Sequence, residues 1–489
     1  MSTITPGTIA DYDLYIDGQW TPGSGSEYIE VLNPSTEGVI ARVKKAEVSD
    51  VQKAIDAADK AQPEWEALPP IERGRYLHKL ADKIREHEAD LTDIIVKEGG
   101  KTQGLANVEV NFTADYLDYM AEWARRYEGE IINSDRPNET ILMFKKAIGV
   151  TTGILPWNFP FFLIARKMAP ALVTGNTIVI KPSEETPINA IVFTKLVDEV
   201  GFPKGVFNLV NGYGPELGPE LAGNPKVGMV SITGSVRSGQ EVMKEAAPNV
   251  TKVNLELGGK APAIVMADAD LDLAARAVVD SRVINSGQVC NNAERVYVQR
   301  PVAEKFTQKI VDLMKQQKWG DPSVEPDIAF GPLINKRAQA SVAEKVEKAV
   351  AEGAKLVLGG KPATINGKGA FFEPTVLVDV DQDMSIVREE TFGPVLPILI
   401  FDDFDDVIAK ANSSEYGLTS SIYTNDLNTA MKAVKRLKFG ETYVNREHFE
   451  AMQGFHAGWR KSGIGGADGK HGLNEYLATQ VVYLESHPN

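Results

Sequence analysis

Two residues of this 489-residue sequence have the chemistry of a nucleophile and a base: Cys290, its only cysteine, and Glu256. Cys290 lies in VINSGQVCNNAER (283–295), where a helical pattern breaks at Gly287 and polar residues follow. A lone cysteine is more often a small buried hydrophobic residue than a nucleophile. A catalytic thiol needs a base or a positive environment nearby, because a free thiol of pKa about 8.5 is only slightly ionised at neutral pH.

Glu256 supplies a candidate base in LELGGKAP (255–262), at the end of an apolar segment. A carboxylate at the end of a core strand is costly unless it is solvated or functional. The alternative interpretation is a surface glutamate at a strand end. The two glycines that follow allow a ligand to approach the backbone closely, and this favours a functional site.

Two glycine-bearing segments could bind phosphate groups. NGYGPELG (211–218), which contains Gly214, has the spacing of a phosphate loop, but such a spacing is more often an ordinary turn. ITGSVRSG (232–239) follows an apolar strand and opens a helix with Gly234 and Ser235. Backbone N–H groups and a hydroxyl at that helix start could bind a pyrophosphate.

The elements that must position these residues begin at residue 149, where short apolar strands alternate with helical segments. This alternation predicts a parallel, doubly wound sheet. The predicted strands are GVTTGIL (149–155), TIVIK (177–181), VFNLV (206–210), VGMVSI (227–232) and KVNLEL (252–257). Ligands bind beyond the carboxyl ends of the strands in such a sheet. Trp157, Lys181, Gly234 and Glu256 lie at or just past those ends.

Other segments flank this sheet on both sides in the sequence. LYIDGQW (14–20) predicts a hairpin, and helices are predicted over 49–62, with Ser49 as N-cap, and over 70–98. A second α/β series is predicted from APAIVM (261–266), ERVYVQ (294–299), KLVLGG (355–360), TVLVDV (375–380), LTSSIYT (418–424) and ETYVN (441–445). QVVYLES (480–486) is β-prone without a partner strand nearby in sequence, so another subunit is its expected partner.

Composition narrows the classes of function. The length predicts about three domains, and a net charge of −15 argues against nucleic-acid or anionic-membrane partners. The N-terminus does not resemble a signal peptide, and no apolar stretch is long enough to span a membrane. One cysteine excludes an internal disulfide, and the six histidines lack an i, i+4 pair. We therefore expect no metal site and a reducing, cytoplasmic location.

The motifs in combination resemble the aldehyde dehydrogenase superfamily over essentially the whole chain. PWNFP (156–160), LELGGKAP and GQVC occur in the family's order, with Glu256 and Cys290 34 residues apart. Further matches are KPSE (181–184), ITGS (232–235), EETFGPV (389–395) and NSSEYGL (412–418). Within the superfamily the sequence is most similar to bacterial enzymes that act on lactaldehyde and glycolaldehyde. One departure is Val283, where many members carry an aromatic residue.

The resemblance implies a covalent mechanism. Cys290 as thiolate attacks the aldehyde carbon to form a thiohemiacetal, and the Asn158 amide with the Cys290 N–H holds the oxyanion. Hydride leaves for NAD, and Glu256 activates the water that hydrolyses the thioester. The base argues against an acylating enzyme that uses coenzyme A. A structural protein that inherited the fold, like a lens crystallin, is the non-enzymatic alternative.

The resemblance also implies a cofactor site. The matched residues are Leu155, Trp157, Lys181, Ser183, Glu184, Gly214, Gly234, Ser235, Glu390 and Phe392. Lys181 and Glu184 would hold the adenosine ribose, Ser235 the pyrophosphate, and Glu390 with Phe392 the nicotinamide ribose and ring. NAD is expected over NADP, because the Glu184 carboxylate repels a 2′-phosphate, although Lys181 partly offsets this repulsion.

The expected substrate is a small 2-hydroxyaldehyde, with a broad-specificity aldehyde or semialdehyde dehydrogenase as the alternative. Arg166 follows Asn158 by eight positions on a predicted helix, so both could face one cavity. A solvated or structural arginine is the competing interpretation. FEAMQGFHAG (449–458) matches the family's substrate-anchoring loop. The expected substrate-binding residues are Arg166, Asn291, Glu450 and His456.

The fold implied by the resemblance is a three-part α/β subunit that assembles into a homodimer or homotetramer. Its parts are a Rossmann-like, parallel-sheet NAD-binding domain (1–124 and 146–256), an α/β catalytic domain (257–468) and a small β oligomerisation element (125–145 and 469–489).

Overall fold

The computed structural model describes residues 10–487. Residues 1–9 and 488–489, which belong to the predicted domains, lie outside the described residues. The helices α1 to α15 are Val48–Ala67, Pro70–Glu86, Glu88–Gly99, Gln103–Ala121, Phe162–Val173, Pro187–Val200, Gly214–Gly223, Val236–Ala246, Leu271–Val283, Ala303–Gln316, Lys336–Ala351, Ser385–Arg388, Phe404–Asn412, Leu427–Arg436 and Gly469–Glu475. The strands β1 to β23 are Ala10–Tyr12, Leu14–Ile16, Gln19–Thr21, Tyr28–Leu32, Val39–Lys44, Glu130–Asn133, Glu139–Ala147, Val150–Ile154, Thr177–Lys181, Phe207–Leu209, Val227–Thr233, Lys252–Glu256, Ala261–Val265, Ala293–Gln299, Lys355–Leu358, Pro362–Ile365, Lys368–Phe372, Thr375–Val378, Val395–Phe401, Thr419–Tyr423, Glu441–Val444, Gly463–Ile464 and Leu477–Glu485.

The first large sheet has eight strands in the order β22-β12-β11-β8-β9-β10-β2-β3. Its five central strands are parallel, as predicted. Ile178 and Ile180 join the apolar cluster that contains α5, whereas Val179 between them joins the cluster that contains α1. Alternate side chains of a strand point to opposite faces, so helices cover both faces and the sheet is doubly wound.

The second large sheet has seven strands in the order β15-β18-β19-β14-β13-β20-β21. All its neighbours are parallel except β15 and β18. β19, which lies inside this sheet, was not predicted from the sequence. Its apolar run VLPILIF contains Pro397, and proline usually argues against a central strand.

A small three-stranded sheet has the order β23-β7-β6. β23 pairs antiparallel with β7 from Leu477 opposite Ala147 to Glu485 opposite Glu139. One partner strand of the tail therefore lies in the same chain, more than 300 residues earlier. β23 is at the edge of the sheet, so pairing of its other edge with another subunit stays a prediction. The predicted domain boundaries stay a prediction.

The local predictions for the helices need two corrections. α1 begins at Val48 behind Glu47, so Ser49 is inside the helix rather than its N-cap. α5 begins at Phe162, so Asn158 precedes the helix that carries Arg166. The predicted hairpin is present as β2 and β3, whose turn residue Asp17 has a φ of 52°.

Candidate active site

A cavity of about 320 Å³ lies where the two large sheets meet. Its walls include the segments that follow β8, β11 and β12 and the segments that precede β14 and β19. The predicted site residues that line it are Trp157, Asn158, Arg166, Gly234, Ser235, Glu256, Cys290, Asn291, Glu390, Phe392, Glu450 and His456. The predicted cofactor residues outside this wall are Leu155, Lys181, Ser183, Glu184 and Gly214.

The loop that carries Cys290 has a constrained backbone. Asn285, Ser286 and Gly287 have φ angles of 48°, 60° and 77°. Two non-glycine residues in this left-handed region are strained, and such a conformation persists only when the surroundings enforce it. The buried Arg282 side chain donates from Nη2 to the Gly287 carbonyl at 2.8 Å. This arginine therefore braces the turn that presents the thiol.

The electrostatic environment of the thiol depends on a histidine. Burial raises the pKa of Cys290 above its usual value, and the hydrogen bond and the charge of His456 offset only part of that rise. Burial alone would lower the pKa of His456, but the Glu441 carboxylate, 2.6 Å from Nδ1, holds it well above its usual value. A positive imidazolium beside a thiol favours the thiolate. From the sequence, His456 was expected to bind the substrate, and Glu441, which begins β21, was not expected at the site.

The side chain of Asn158 has a fixed orientation beside the thiol loop. Its Nδ2 donates to the Gln288 carbonyl at 3.0 Å, and its Oδ1 accepts from the Phe159 N–H at 3.1 Å. An amide nitrogen has two hydrogens, so the second hydrogen of Asn158 remains available to another acceptor.

Glu256 ends β12 and is buried, with 3% of its surface exposed. Thr233 donates its hydroxyl to Oε2 of Glu256 at 3.2 Å. Burial alone would raise the pKa of Glu256, but the charges of Arg166 and Lys167 outweigh it, so the pKa is lowered. Glu256 is therefore a buried carboxylate that is ionised at neutral pH.

Arg166 on α5 is the centre of a buried polar cluster on one wall of the cavity. It donates from Nε to Oδ1 of Asp468 at 3.0 Å and from Nη2 to Oε1 of Glu450 at 3.1 Å. Asn291 donates to the other oxygen of Glu450 at 2.5 Å. Asp468 was not predicted, because pairing across 302 positions leaves no signal in a single sequence.

Part of the cavity wall is aromatic and adjoins Arg166, whose guanidinium lies over the Phe162 ring, 5.0 Å from its centroid; these aromatic residues were not predicted. Phe112 contacts Phe162 and Phe449, with ring centroids 4.8 and 6.0 Å apart. Apolar periodicity marks a core and a cavity wall equally, so the sequence pattern could not separate the two.

His448 also lines the cavity, and its Nε2 has no hydrogen-bond partner within residues 10–487.

The cofactor-side residues lie at the start of α8 and at the amino end of β19. Ser235 is the N-cap of α8 and accepts from the Ser238 N–H at 3.2 Å. The free N–H groups of a helix start bind phosphate groups. Phe392 has a φ of 55°, and its ring meets Trp157 edge-on with centroids 5.6 Å apart.

Glu390 is held against a glycine backbone. The Gly259 N–H donates to its Oε1 at 2.8 Å, and a Cβ on Gly258 would lie 2.6 Å from Oε2 of Glu390. Burial and the negative charge of Glu294 raise the pKa of Glu390 to about 7. The chemistry of this region fits a dinucleotide: the amides at the start of α8 suit phosphate groups, and the Phe392 ring and the Glu390 carboxyl group suit a ring and a ribose.

The predicted adenosine-side residues lie at the end of β9 and after it, outside the main cavity wall. Lys181 Nζ donates to the Pro182 carbonyl at 2.8 Å and lies 3.8 Å from Oε2 of Glu184. Burial lowers the pKa of Lys181 to about 8. Ser183 accepts from the Glu185 N–H, and Gly214 begins α7.

Within the described residues no group of three or more His, Cys, Asp or Glu side chains could hold a metal ion. No helix in the same part of the chain is long and apolar enough to cross a membrane.

Cys290 lies between the doubly wound sheet and the second α/β sheet, in a cavity whose other groups fit a dinucleotide. These features define a class of thiol-dependent oxidoreductase. The family model for the aldehyde dehydrogenase family matches residues 20–482. The chain therefore belongs to the aldehyde dehydrogenase family, and the resemblance inferred from the motifs is confirmed.

Several relatives are similar over almost their whole length. Lactaldehyde dehydrogenase of Escherichia coli is 66% identical over 97% of this chain and 99% of its own length. A crystal structure of the E. coli lactaldehyde dehydrogenase matches with a TM-score of 0.97, covering 98% of this chain and 100% of that chain. Betaine aldehyde dehydrogenase from Staphylococcus aureus, solved with NAD+, is 36% identical with a TM-score of 0.95, covering 98% and 95% of the two chains. The chain is an aldehyde dehydrogenase with the fold of that family.

Proposed function

We propose that this enzyme oxidises small 2-hydroxyaldehydes, such as lactaldehyde and glycolaldehyde, to carboxylates with NAD. The observation that carries the proposal is the hydrogen-bonded wall of Arg166, Glu450 and Asn291 in the cavity that also holds Cys290. A polar wall of this kind suits a substrate with a hydroxyl group, and it rejects analogues that leave its groups unpaired. The similarity to lactaldehyde dehydrogenase supports the same substrate class.

The proposed first step is addition of the thiolate to the aldehyde. The Cys290 sulfur forms a bond to the carbonyl carbon, and the π electrons move to the oxygen. The positive charge of His456 favours the thiolate. The free hydrogen of the Asn158 amide and the Cys290 N–H then stabilise the oxyanion of the thiohemiacetal.

The residues that would hold NAD are those at the start of α8 and around Glu390. Gly234 and Ser235 would bind the pyrophosphate, Glu390 and Phe392 the nicotinamide riboside, and Lys181 with Glu184 the adenosine ribose. NAD, when it is bound, would accept the hydride that leaves the thiohemiacetal carbon, and the oxyanion electrons re-form the C=O bond to give the thioester on Cys290. We propose NAD over NADP because the Glu184 carboxylate repels a 2′-phosphate.

The proposed second half of the reaction is hydrolysis of the thioester. Ionised Glu256 removes a proton from water, the water oxygen bonds to the acyl carbon, and the carbon–sulfur bond breaks. These changes release the carboxylic acid and regenerate the Cys290 thiolate. The lowered pKa of Glu256 supports a base that is ready at neutral pH.

The test is a panel of aldehydes assayed with NAD and NADP in parallel, on the wild type and on Arg166→Ala and His456→Ala. Glycolaldehyde and lactaldehyde should exceed acetaldehyde and propanal in kcat/KM, and the gap should shrink in Arg166→Ala. His456→Ala should lower kcat/KM for all four aldehydes, because the charge that favours the thiolate is lost, and any narrowing of the gap would add a role for His456 at the substrate hydroxyl. If hexanal or benzaldehyde is the better substrate of the wild type, the substrate proposal fails and a broad-specificity enzyme replaces it. Equal kcat/KM with NAD and NADP would overturn the cofactor proposal.

We also propose a homo-oligomer, a dimer or a tetramer, assembled through the small sheet. Ile131, Phe144, Tyr483 and Leu484 on its strands are exposed, and exposed apolar clusters mark interaction surfaces. Size-exclusion chromatography with light-scattering detection should give two or four times the 53.3 kDa mass of the chain. A monomeric mass would contradict this proposal. The cytoplasmic location stays a prediction.

A further inference from the structure

Asp468 combines complete burial with an unfavourable backbone. It lies just before α15 and is 1% exposed, and its backbone has φ 70° and ψ 160°. Residues other than glycine rarely adopt this conformation, and they keep it only where the surroundings require it. Its side chain does not cap α15, so helix capping does not explain the aspartate at this position.

The carboxylate of Asp468 engages one edge of the Arg166 guanidinium. Arg166 donates from Nε to Oδ1 at 3.0 Å and from Nη2 to Oδ2. Nη2 also donates to Glu450. The side-chain hydrogen bonds of Arg166 among residues 10–487 come from Nε and Nη2, so the two N–H groups of Nη1 have no protein acceptor there.

We infer that Asp468 is a positioning residue: it holds the Nε–Nη2 edge of Arg166 so that Nη1 faces the cavity and can donate to the oxygen on C2 of the substrate. The inference rests on the proposed 2-hydroxyaldehyde activity. A planar guanidinium and a carboxylate form two parallel hydrogen bonds, so this pairing sets a direction as well as neutralising a charge. Glu450 makes a single bond to Arg166 and could not set that direction alone.

A purely structural role predicts different behaviour. If Asp468 only neutralises a buried arginine, its loss should lower stability and impair every aldehyde alike. A positioning role predicts a selective loss on substrates that carry an oxygen on C2. Lactaldehyde and propanal make the comparison, because they have the same carbon chain and differ by that hydroxyl group.

The experiment compares Asp468→Asn and Asp468→Gly with Asp426→Asn, a matched control at the exposed cap of α14. For each protein, kcat and KM are measured with lactaldehyde and propanal, together with the melting temperature. Both Asp468 variants should raise the KM for lactaldehyde about tenfold or more, since a hydrogen bond to a charged group is lost. Propanal kinetics should change less than about threefold.

A double variant tests whether Asp468 acts through Arg166. In the Arg166→Ala background, Asp468→Asn should leave the ratio of lactaldehyde to propanal kcat/KM unchanged, because the group being positioned is gone. Equal losses on both aldehydes, or an unchanged ratio in the single variants, would overturn the inference while the substrate proposal stands. A wild type without preference for lactaldehyde over propanal would overturn the substrate proposal itself.

Discussion

The two large sheets meet the same cavity at opposite ends of their strands. The eight-stranded sheet contributes from carboxyl ends, where Glu256 ends β12 and Ser235 follows β11. The seven-stranded sheet contributes from amino ends, where Cys290 precedes β14 and Glu390 precedes β19. The rule that ligands bind at carboxyl ends therefore describes only half of this site.

The difference extends to the charge of the two cavity glutamates. Glu256 is the more buried, yet its pKa is lowered by Arg166 and Lys167. Glu390 is only partly buried, but its partial burial is combined with the negative charge of Glu294, and together they raise its pKa to about 7. Neighbouring charges, rather than burial alone, decide which carboxylate can serve as a base at neutral pH. We expect substitutions on the two sides to affect different steps.

The largest expected effect is on the thiol. Cys290→Ser should abolish aldehyde oxidation while NAD binding stays nearly unchanged, because only the nucleophile is weakened. NADH formation measures the activity, and quenching of protein fluorescence measures the binding. Appreciable turnover in this variant would contradict the covalent mechanism.

Glu256→Gln should slow thioester hydrolysis by about 10² to 10⁴, the usual contribution of a general base, and should slow acylation less. The variant mixed with aldehyde and NAD should then accumulate acyl-enzyme, which intact-mass spectrometry detects as an adduct on Cys290. Glu304→Gln, at the exposed start of α10, is the control and should behave as the wild type. Normal turnover without an adduct would remove Glu256 from the role of base.

Asn158→Ala should lower kcat by about 10² to 10³, because the oxyanion loses one donor. Steady-state kinetics with a saturating aldehyde measure this effect. Asn428→Ala, at the exposed start of α14, controls for the loss of an amide elsewhere. A kcat near that of the wild type would assign the oxyanion to other donors.

The smallest expected effect is on the cofactor side. With a pKa of about 7, Glu390 gains a proton as the pH falls through neutrality. An ionised carboxylate is the stronger acceptor for ribose hydroxyls, so the KM for NAD should fall severalfold as the pH rises through about 7. Glu390→Gln should remove this dependence and leave the pH profile of thioester hydrolysis unchanged. A pH dependence that persists in Glu390→Gln would show that another group titrates.

The sequence by itself was enough for the class of the fold and the residue types of the site. Short apolar strands alternating with helices predicted a parallel, doubly wound sheet and a second α/β domain, because local patterning and short connections largely specify a parallel α/β architecture. The spacing of PWNFP, LELGGKAP and GQVC predicted the family. Cys290, Glu256 and Asn158 do line one cavity, as those motifs led us to expect.

Only the tertiary structure decided what surrounds those residues. Asp468 meets Arg166 and Glu441 meets His456, and the tail strand β23 pairs with β7 of its own chain. The raised pKa of His456 and the lowered pKa of Glu256 depend on charged side chains from distant parts of the sequence. The physical reason is that charge interactions and strand pairing act through space, between segments whose separation in sequence carries no local pattern.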